Sequence, residues 1–179
     1  SVFAAKYVSR LFLVDKSDGG RRAVIDLSHL NKSIRKYSMS MQTLHFVAKI
    51  AQPTDWMLSC DVKDGYYHLA IREGDQRFLQ FRWRGVIYQY MGLPMCYSLA
   101  PYWFCTLMFA WVRYAQAQWS VRILSYVDDF LFFFVSATHA RNTREKIDGL
   151  LKDLGIKRHP TKGNFDEPVR ELLHLGMII

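Results

Sequence analysis

The 179-residue sequence predicts an α+β fold built on antiparallel sheet. Three observations lead there. Short apolar runs lie in pairs around turn residues at Lys16-Ser-Asp-Gly-Gly20, Arg84-Gly85 and Asp128-Asp129, a pattern of hairpins. Two longer stretches, 98–119 and 138–154, carry helical periodicity. Strands and helices follow one another in mixed order, without the strict alternation of a parallel α/β sheet.

Taken in order, apolar runs at 11–14 and 23–27 flank the first turn and predict a β-hairpin with a glycine-bearing tip. Thr43, followed by Leu44, Phe46, Val47 and Ile50, reads as a short capped helix that Pro53 breaks. Residues 56–62 read as a buried strand, and 77–83 with 86–90 as a second hairpin. The helix over 98–119 tolerates Pro101 in its first turn. Its apolar residues run nearly all round, so it is expected to be a core helix. Two apolar strands, 121–127 and 130–135, are separated only by Asp128-Asp129. An amphipathic helix over 138–154 ends at Gly155, and 172–179 reads as a last strand.

Half the residues are apolar and 15% aromatic, which suits a sizeable core and excludes a disordered chain. The net charge of +8 favours an anionic partner such as nucleic acid or nucleotide. The excess is concentrated: residues 1–50 hold nine Lys or Arg against three Asp, and the remainder 15 against 13. That uneven distribution reads either as a solvated basic face or, more sharply, as an N-terminal third that faces phosphates. Cys60, Cys96 and Cys105 are odd in number and contain no Cys-x-x-Cys pair. A disulfide framework and a structural zinc site are therefore not expected. A reducing intracellular setting, nucleus or cytoplasm, fits better. The longest apolar stretch, 99–112, falls short of the roughly 20 residues that span a bilayer, so no membrane partner is expected.

The most unusual local pattern is Tyr126-Val-Asp-Asp-Phe130. Turns often use Asp. Two like charges at the lip of a buried sheet nevertheless repel, and a divalent cation is what best neutralises them. Asp61 ends a second apolar strand and opens Asp61-Val-Lys-Asp-Gly-Tyr-Tyr67, a pattern that also suits a helix cap. If the two strands are neighbours in one sheet, Asp61 and Asp128 converge at one end. Such carboxylates suit two Mg²⁺ ions about 4 Å apart and in-line phosphoryl transfer.

In this order the motifs resemble the fingers and palm of a reverse transcriptase, of LTR or DIRS-like retrotransposon type. Arg22-Ala-Val-Ile-Asp-Leu-Ser-His-Leu-Asn-Lys32 is similar to the fingers motif, and Asp61-Val-Lys-Asp-Gly-Tyr-Tyr-His-Leu-Ala-Ile71 to motif A. Gly92-Leu-Pro-Met-Cys-Tyr-Ser-Leu-Ala-Pro101 resembles motif B, and Tyr126-Val-Asp-Asp129 resembles motif C. Leu154-Gly-Ile-Lys-Arg-His-Pro-Thr-Lys162 is similar to motif D, and His174-Leu-Gly-Met177 to motif E. The resemblance covers nearly the whole chain.

It implies a right-hand polymerase palm with an antiparallel sheet and helices, plus a fingers β-hairpin. The implied organisation is one fingers–palm domain over 1–179, with fingers at about 1–55 and 75–92 and palm at 56–74 and 93–179. The thumb is absent and is expected, with any further domains, outside these residues. The implied activity is that of an RNA-directed DNA polymerase, a nucleotidyltransferase that adds deoxynucleotides to a primer 3′-hydroxyl on an RNA or DNA template. The implied cofactor is a pair of Mg²⁺ ions, with Mn²⁺ able to substitute.

The resemblance also carries roles onto single residues. Asp61 and Asp128 would be the main metal ligands, Asp129 the second member of the motif C pair, and the Val62 carbonyl a further ligand. Lys16 and Arg22 would meet the triphosphate. Tyr66 would stand under the sugar and exclude a ribose 2′-hydroxyl. Met95 would lie near the nucleotide and templating base, and Lys162 would donate a proton to the leaving pyrophosphate.

Three positions depart from the family pattern. Cys96 stands where motif B usually has Gly, Ser28 replaces an arginine, and His159 replaces a frequent asparagine. Cys96 and the absent thumb motivate a second reading, a domesticated and catalytically inactive scaffold that binds RNA within a larger complex. A third, an RNA-dependent RNA polymerase of the same fold, is opposed by Tyr66. Trp83, Tyr88, Tyr90 and Tyr97 lie among basic positions, where stacking on unpaired template bases competes with ordinary core packing.

Overall fold

A computed structural model of the chain describes residues 7–15, 19–39 and 44–179. In chain order the first elements are β1 (Val8–Ser9), β2 (Leu11–Asp15), β3 (Arg21–Ile25), α1 (Ser28–Lys32) and α2 (Leu44–Ile50). Then come β4 (Trp56–Asp61), a 3₁₀ turn at Gly65–His68, α3 (Glu73–Gln76), β5 (Gln80–Trp83), β6 (Val86–Gln89) and α4 (Ala100–Trp119). The last are β7 (Arg122–Tyr126), β8 (Asp129–Phe134), α5 (Ala137–Asp153), β9 (Leu173–His174) and β10 (Met177–Ile178). They fall into two compact units, Ser1–Ser38 with Tyr66–Phe104 and Met39–Gly65 with Cys105–Ile179.

In the first unit β2 and β3 pair antiparallel from Leu11 opposite Ile25 to Asp15 opposite Arg21. The hairpin tip, with Lys16, lies outside the described residues. β5 and β6 close through Arg84 and Gly85, both at positive φ (47° and 81°), the two-residue turn whose twist matches a hairpin. β1 adds to β5 in parallel, the one parallel pair among the described residues. The strand expected from 77 starts only at Gln80. The α3 turn continues instead, through Phe78 N–H to Asp75 and Leu79 N–H to Gln76. Ile25, Leu27 and Leu79 form the core of this unit.

The second unit is built on the sheet β4-β8-β7, all antiparallel. Central β8 is buried on both faces, which is why it reads as an unbroken apolar run. Phe130 and Phe132 meet Trp111 of α4 at 5.0 and 6.4 Å between ring centroids. Leu131 and Phe133 pack with Met57, Leu124 and Leu172, against Val47 and Ile50 of α2. Each fully buried side chain of this size contributes roughly 1.5–3 kcal/mol. The outer edge of β4 is covered by the segment 157–169, with bridges from Val62 to Arg158 and from Met57 to Val169.

α5 starts on Ser136, whose hydroxyl accepts the His139 N–H at 3.1 Å. It stops at Gly155 (φ +70°), where Gly155 and Ile156 N–H groups return to Lys152 and Leu151 carbonyls. The cap expected at Thr43 lies outside the described residues.

Two expectations need correction. α4 buries one face, with Phe104, Met108, Trp111, Val112 and Ala115, and leaves Trp103, Leu107 and Tyr114 exposed. Composition alone did not separate the two faces, because both are apolar. The last run is two short strands, since Leu175 and Gly176 both take positive φ (48° and 81°) and turn the chain back on itself. Among the described residues no helix is long and apolar enough to cross a membrane.

Buried Asp55 ties the start of β4 to β7. It accepts the Gln52 N–H at 2.7 Å and pairs with Arg122, which also donates to the Ile50 carbonyl. Asp55→Ala should cost about 3 kcal/mol, the low end for a broken buried pair because Arg122 is partly exposed. Urea denaturation should show a lower midpoint at unchanged slope.

Candidate functional site

Strand register decides the site. In the antiparallel pair β4–β8, Asp61 stands directly opposite Asp129, so the two carboxylates leave the sheet on the same face. β8 begins at Asp129, one residue earlier than the sequence suggested, so the β7–β8 turn is Val127-Asp128. Val127 has φ +54°, rare for a β-branched residue and costly by about 1–3 kcal/mol. The turn is held regardless: the Asp128 carbonyl accepts the Val62 N–H at 2.8 Å, and the buried Cys105 of α4 makes hydrogen-bond contact with the Val127 backbone. All three carboxylates thus gather at one end of one sheet, with the lip fixed from both sides.

A loop after α5 completes the wall. His159 N–H donates to the Asp61 carbonyl at 2.7 Å, and Lys63 N–H to the Lys157 carbonyl at 2.8 Å. Asn164 N–H donates to the Ser59 hydroxyl at 2.9 Å. Gly163 makes this approach possible. It has φ +79°, and a Cβ there would stand 2.6 Å from the Ser59 carbonyl oxygen. The loop so pinned brings Lys162 Nζ to 3.7 Å from Asp61 Oδ2.

The electrostatics follow from the crowding. Burial, then the Asp128 charge, hold the Asp61 carboxyl above the usual carboxylate range, against the pull of Lys162 and His159. Burial, then Asp128 and Asp61, push Asp129 up to about 6. Among the described residues no three His, Cys, Asp or Glu side chains enclose an ion by themselves. The donors here are a partial, all-oxygen set of carboxylates. That set suits a hard cation whose remaining ligands are water or phosphate oxygens.

The other positions singled out from the sequence lie in the first unit. Arg22 is exposed on β3, opposite Val14. Tyr66 is half-buried with its ring edge-on to Phe104, 5.3 Å between centroids. Met95 is half-buried in the turn before α4. Cys96 does not take a positive φ, so its replacement of Gly brings no backbone strain. Asn31 holds the motif B turn by donating to the Cys96 carbonyl and accepting the Ser98 N–H, both at 2.9 Å. A lone Asn in a short helix gave no signal of that bracing role, nor did Gly163 of its contact with β4.

An antiparallel sheet tipped with carboxylates and backed by two helices is the fold of polymerase palms. Residues 14–179 match the family model described as reverse transcriptase (RNA-dependent DNA polymerase), and the chain belongs to the reverse transcriptase family. It is 26% identical over 184 residues to protein P of duck hepatitis B virus (strain Germany/DHBV-3), covering 96% of this chain and 22% of that protein. It is 25% identical over 145 residues to the Tf2-3 transposon polyprotein of Schizosaccharomyces pombe, covering 78% of this chain and 10% of the polyprotein. The foamy viral protease–reverse transcriptase in complex with double-stranded DNA shares the fold, with a TM-score of 0.81 at 22% identity over 96% of this chain and 29% of that one. The chain therefore spans about a fifth of the length of the first of these curated relatives.

A raised carboxylate pKa stabilises the fold below the unfolded-state value near 4, and that contribution is lost as pH rises through about 6. At neutral pH without divalent ions the cluster therefore opposes folding. Asp129→Asn should raise the melting temperature of ion-free protein at pH 7.5 by about 2–4 °C, after allowing for solvent screening. The gain should shrink below pH 6 in a thermal melt followed by circular dichroism.

Proposed function

We propose that the chain is the catalytic core of an RNA-directed DNA polymerase, adding deoxynucleotides to a primer on an RNA or DNA template. The observation that carries this reading is the register of β4 against β8, which sets Asp61 opposite Asp129 beside the Asp128 turn. Two Mg²⁺ ions, or Mn²⁺ in their place, held by Asp61, Asp128, Asp129 and the Val62 carbonyl would activate the primer hydroxyl and neutralise the leaving pyrophosphate.

The chain's own residues divide the rest of the task. Lys162 would give a proton to the departing pyrophosphate, a role supported by its 3.7 Å approach to Asp61. A cavity of about 590 Å³ beside it, where Lys63, Lys152 and Lys157 outnumber Asp148 and Asp166 on the wall, would offer that anion a way out. Arg22, with Lys16, would grip the triphosphate. Met95 would pack near the base, and the Tyr66 ring would exclude a ribose 2′-hydroxyl.

Cys96 takes no positive φ, so the inactive-scaffold reading draws no support from backbone strain there. Within the family an LTR- or DIRS-like type draws support from the Tf2-3 polyprotein among the relatives. The division into fingers at about 1–55 and 75–92 and palm at 56–74 and 93–179 is part of the same proposal, as are an intracellular setting and a thumb supplied outside these residues. The foamy viral enzyme has been seen with double-stranded DNA and with an RNA/DNA hybrid, the kind of partner proposed for this chain.

In primer extension on an RNA template by the full-length protein, Asp128→Asn should lower the rate on the order of 10³-fold, matching the several kcal/mol that metal-stabilised charge supplies. Equal extension by both proteins would refute the assignment.

A further inference from the structure

The first unit carries a series of rings that the proposed chemistry does not use. Tyr67 and Tyr90 lie 6.1 Å apart between centroids with planes 7° from parallel. Tyr90 and Phe81 follow at 5.4 Å, then Phe81 and Tyr88 at 5.7 Å and 19°. Phe81 and Tyr88 are direct partners across β5–β6. Trp83, paired with Val86, comes next on the same face of β5. Phe81 and Tyr90 root the series in the core of Ile25, Leu27 and Leu79. The outer rings are not covered: Tyr67, Trp83 and Tyr88 are 42%, 46% and 47% exposed.

The sequence of the hairpin carries charge of one sign. No Asp or Glu occurs between Asp75 and Asp128, whereas Arg77, Arg82 and Arg84 fall within the hairpin region. Arg84 at the hairpin tip holds its guanidinium 5.7 Å from the centre of the Trp83 ring. Exposed aromatic rings on a sheet with arginine beside them complement a polyanion that carries flat apolar groups. Unpaired nucleic acid is that polymer, since every base offers a π-face and every phosphate a charge. Duplex DNA or RNA keeps its base faces stacked away and gains nothing from the rings.

We propose that this face of the β5–β6 hairpin binds single-stranded nucleic acid, with bases stacked on Trp83, Tyr88 and Tyr67 and a phosphate on Arg84. The inference goes beyond the polymerase reading and does not need it, because binding here involves none of the carboxylates.

The test is fluorescence anisotropy of the chain with labelled oligouridylate, oligothymidylate and a blunt duplex of equal length. Trp83→Ala combined with Tyr88→Ala should weaken both single strands on the order of tenfold per ring lost and change duplex affinity less than about twofold. Tyr88→Phe, which keeps the ring, and Asp128→Asn, which removes only the acidic centre, should both bind single strands like the parent chain. A folded double variant with unchanged single-strand affinity overturns the proposal. If that variant instead loses self-association in sedimentation, the face belongs to a second copy of the chain, which overturns it equally. Should the double variant not fold, photo-cross-linking of the parent chain to an iodouridine-bearing strand decides. Adducts on Trp83, Tyr88 or Tyr67 support the proposal, and adducts confined to other residues overturn it.

Discussion

Two carboxylates facing each other at the end of an apolar sheet repel, and the second unit is organised around holding them there. Asp61 and Asp129 are fixed by strand register, so neither can move away without unzipping β4 from β8. That pairing is in turn held by a central strand whose side chains are buried on both faces. The apolar core thus holds in place two carboxyls whose pKa values are raised by burial first and by the neighbouring Asp128 charge second. Such a conflict is worth retaining where a cation resolves it.

The surroundings show how narrow the tolerance is. Val127 is held at a φ that a β-branched residue resists, and it closes a turn just short enough to set Asp128 beside the facing pair. The loop on the far side of β4 fits only because Gly163 has no side chain. Lys162 then provides a positive charge 3.7 Å from Asp61, a partial counter-ion on the acidic lip. Strain at the turn and close approach at the loop are local costs that the packed sheet overrides.

Much of this was legible in the sequence, for identifiable reasons. Alternating apolar runs with Arg84-Gly85 between them specify the second hairpin locally, because a two-residue turn with positive φ favours Gly. The paired acids at 128 and 129 stood out because their neighbours are so apolar. Which face of α4 is buried was not legible, since Trp103, Leu107 and Tyr114 are as apolar as the residues facing the sheet. Nor was the approach of Lys162 to Asp61, which depends on a loop whose partners lie about a hundred residues earlier, as Asn164 with Ser59 shows. Local pattern gave the elements and the acids. The register and the loop contacts that turn them into a site come from tertiary packing.

The central claim is that Asp61 and the Asp128–Asp129 pair form one divalent-cation site. Titration of the chain with Mn²⁺, followed by electron paramagnetic resonance of the free ion, measures this directly. The account predicts saturable binding that Asp61→Asn and Asp128→Asn each weaken, by roughly 10- to 100-fold. Binding that is absent, or that both substitutions leave unchanged, would contradict it.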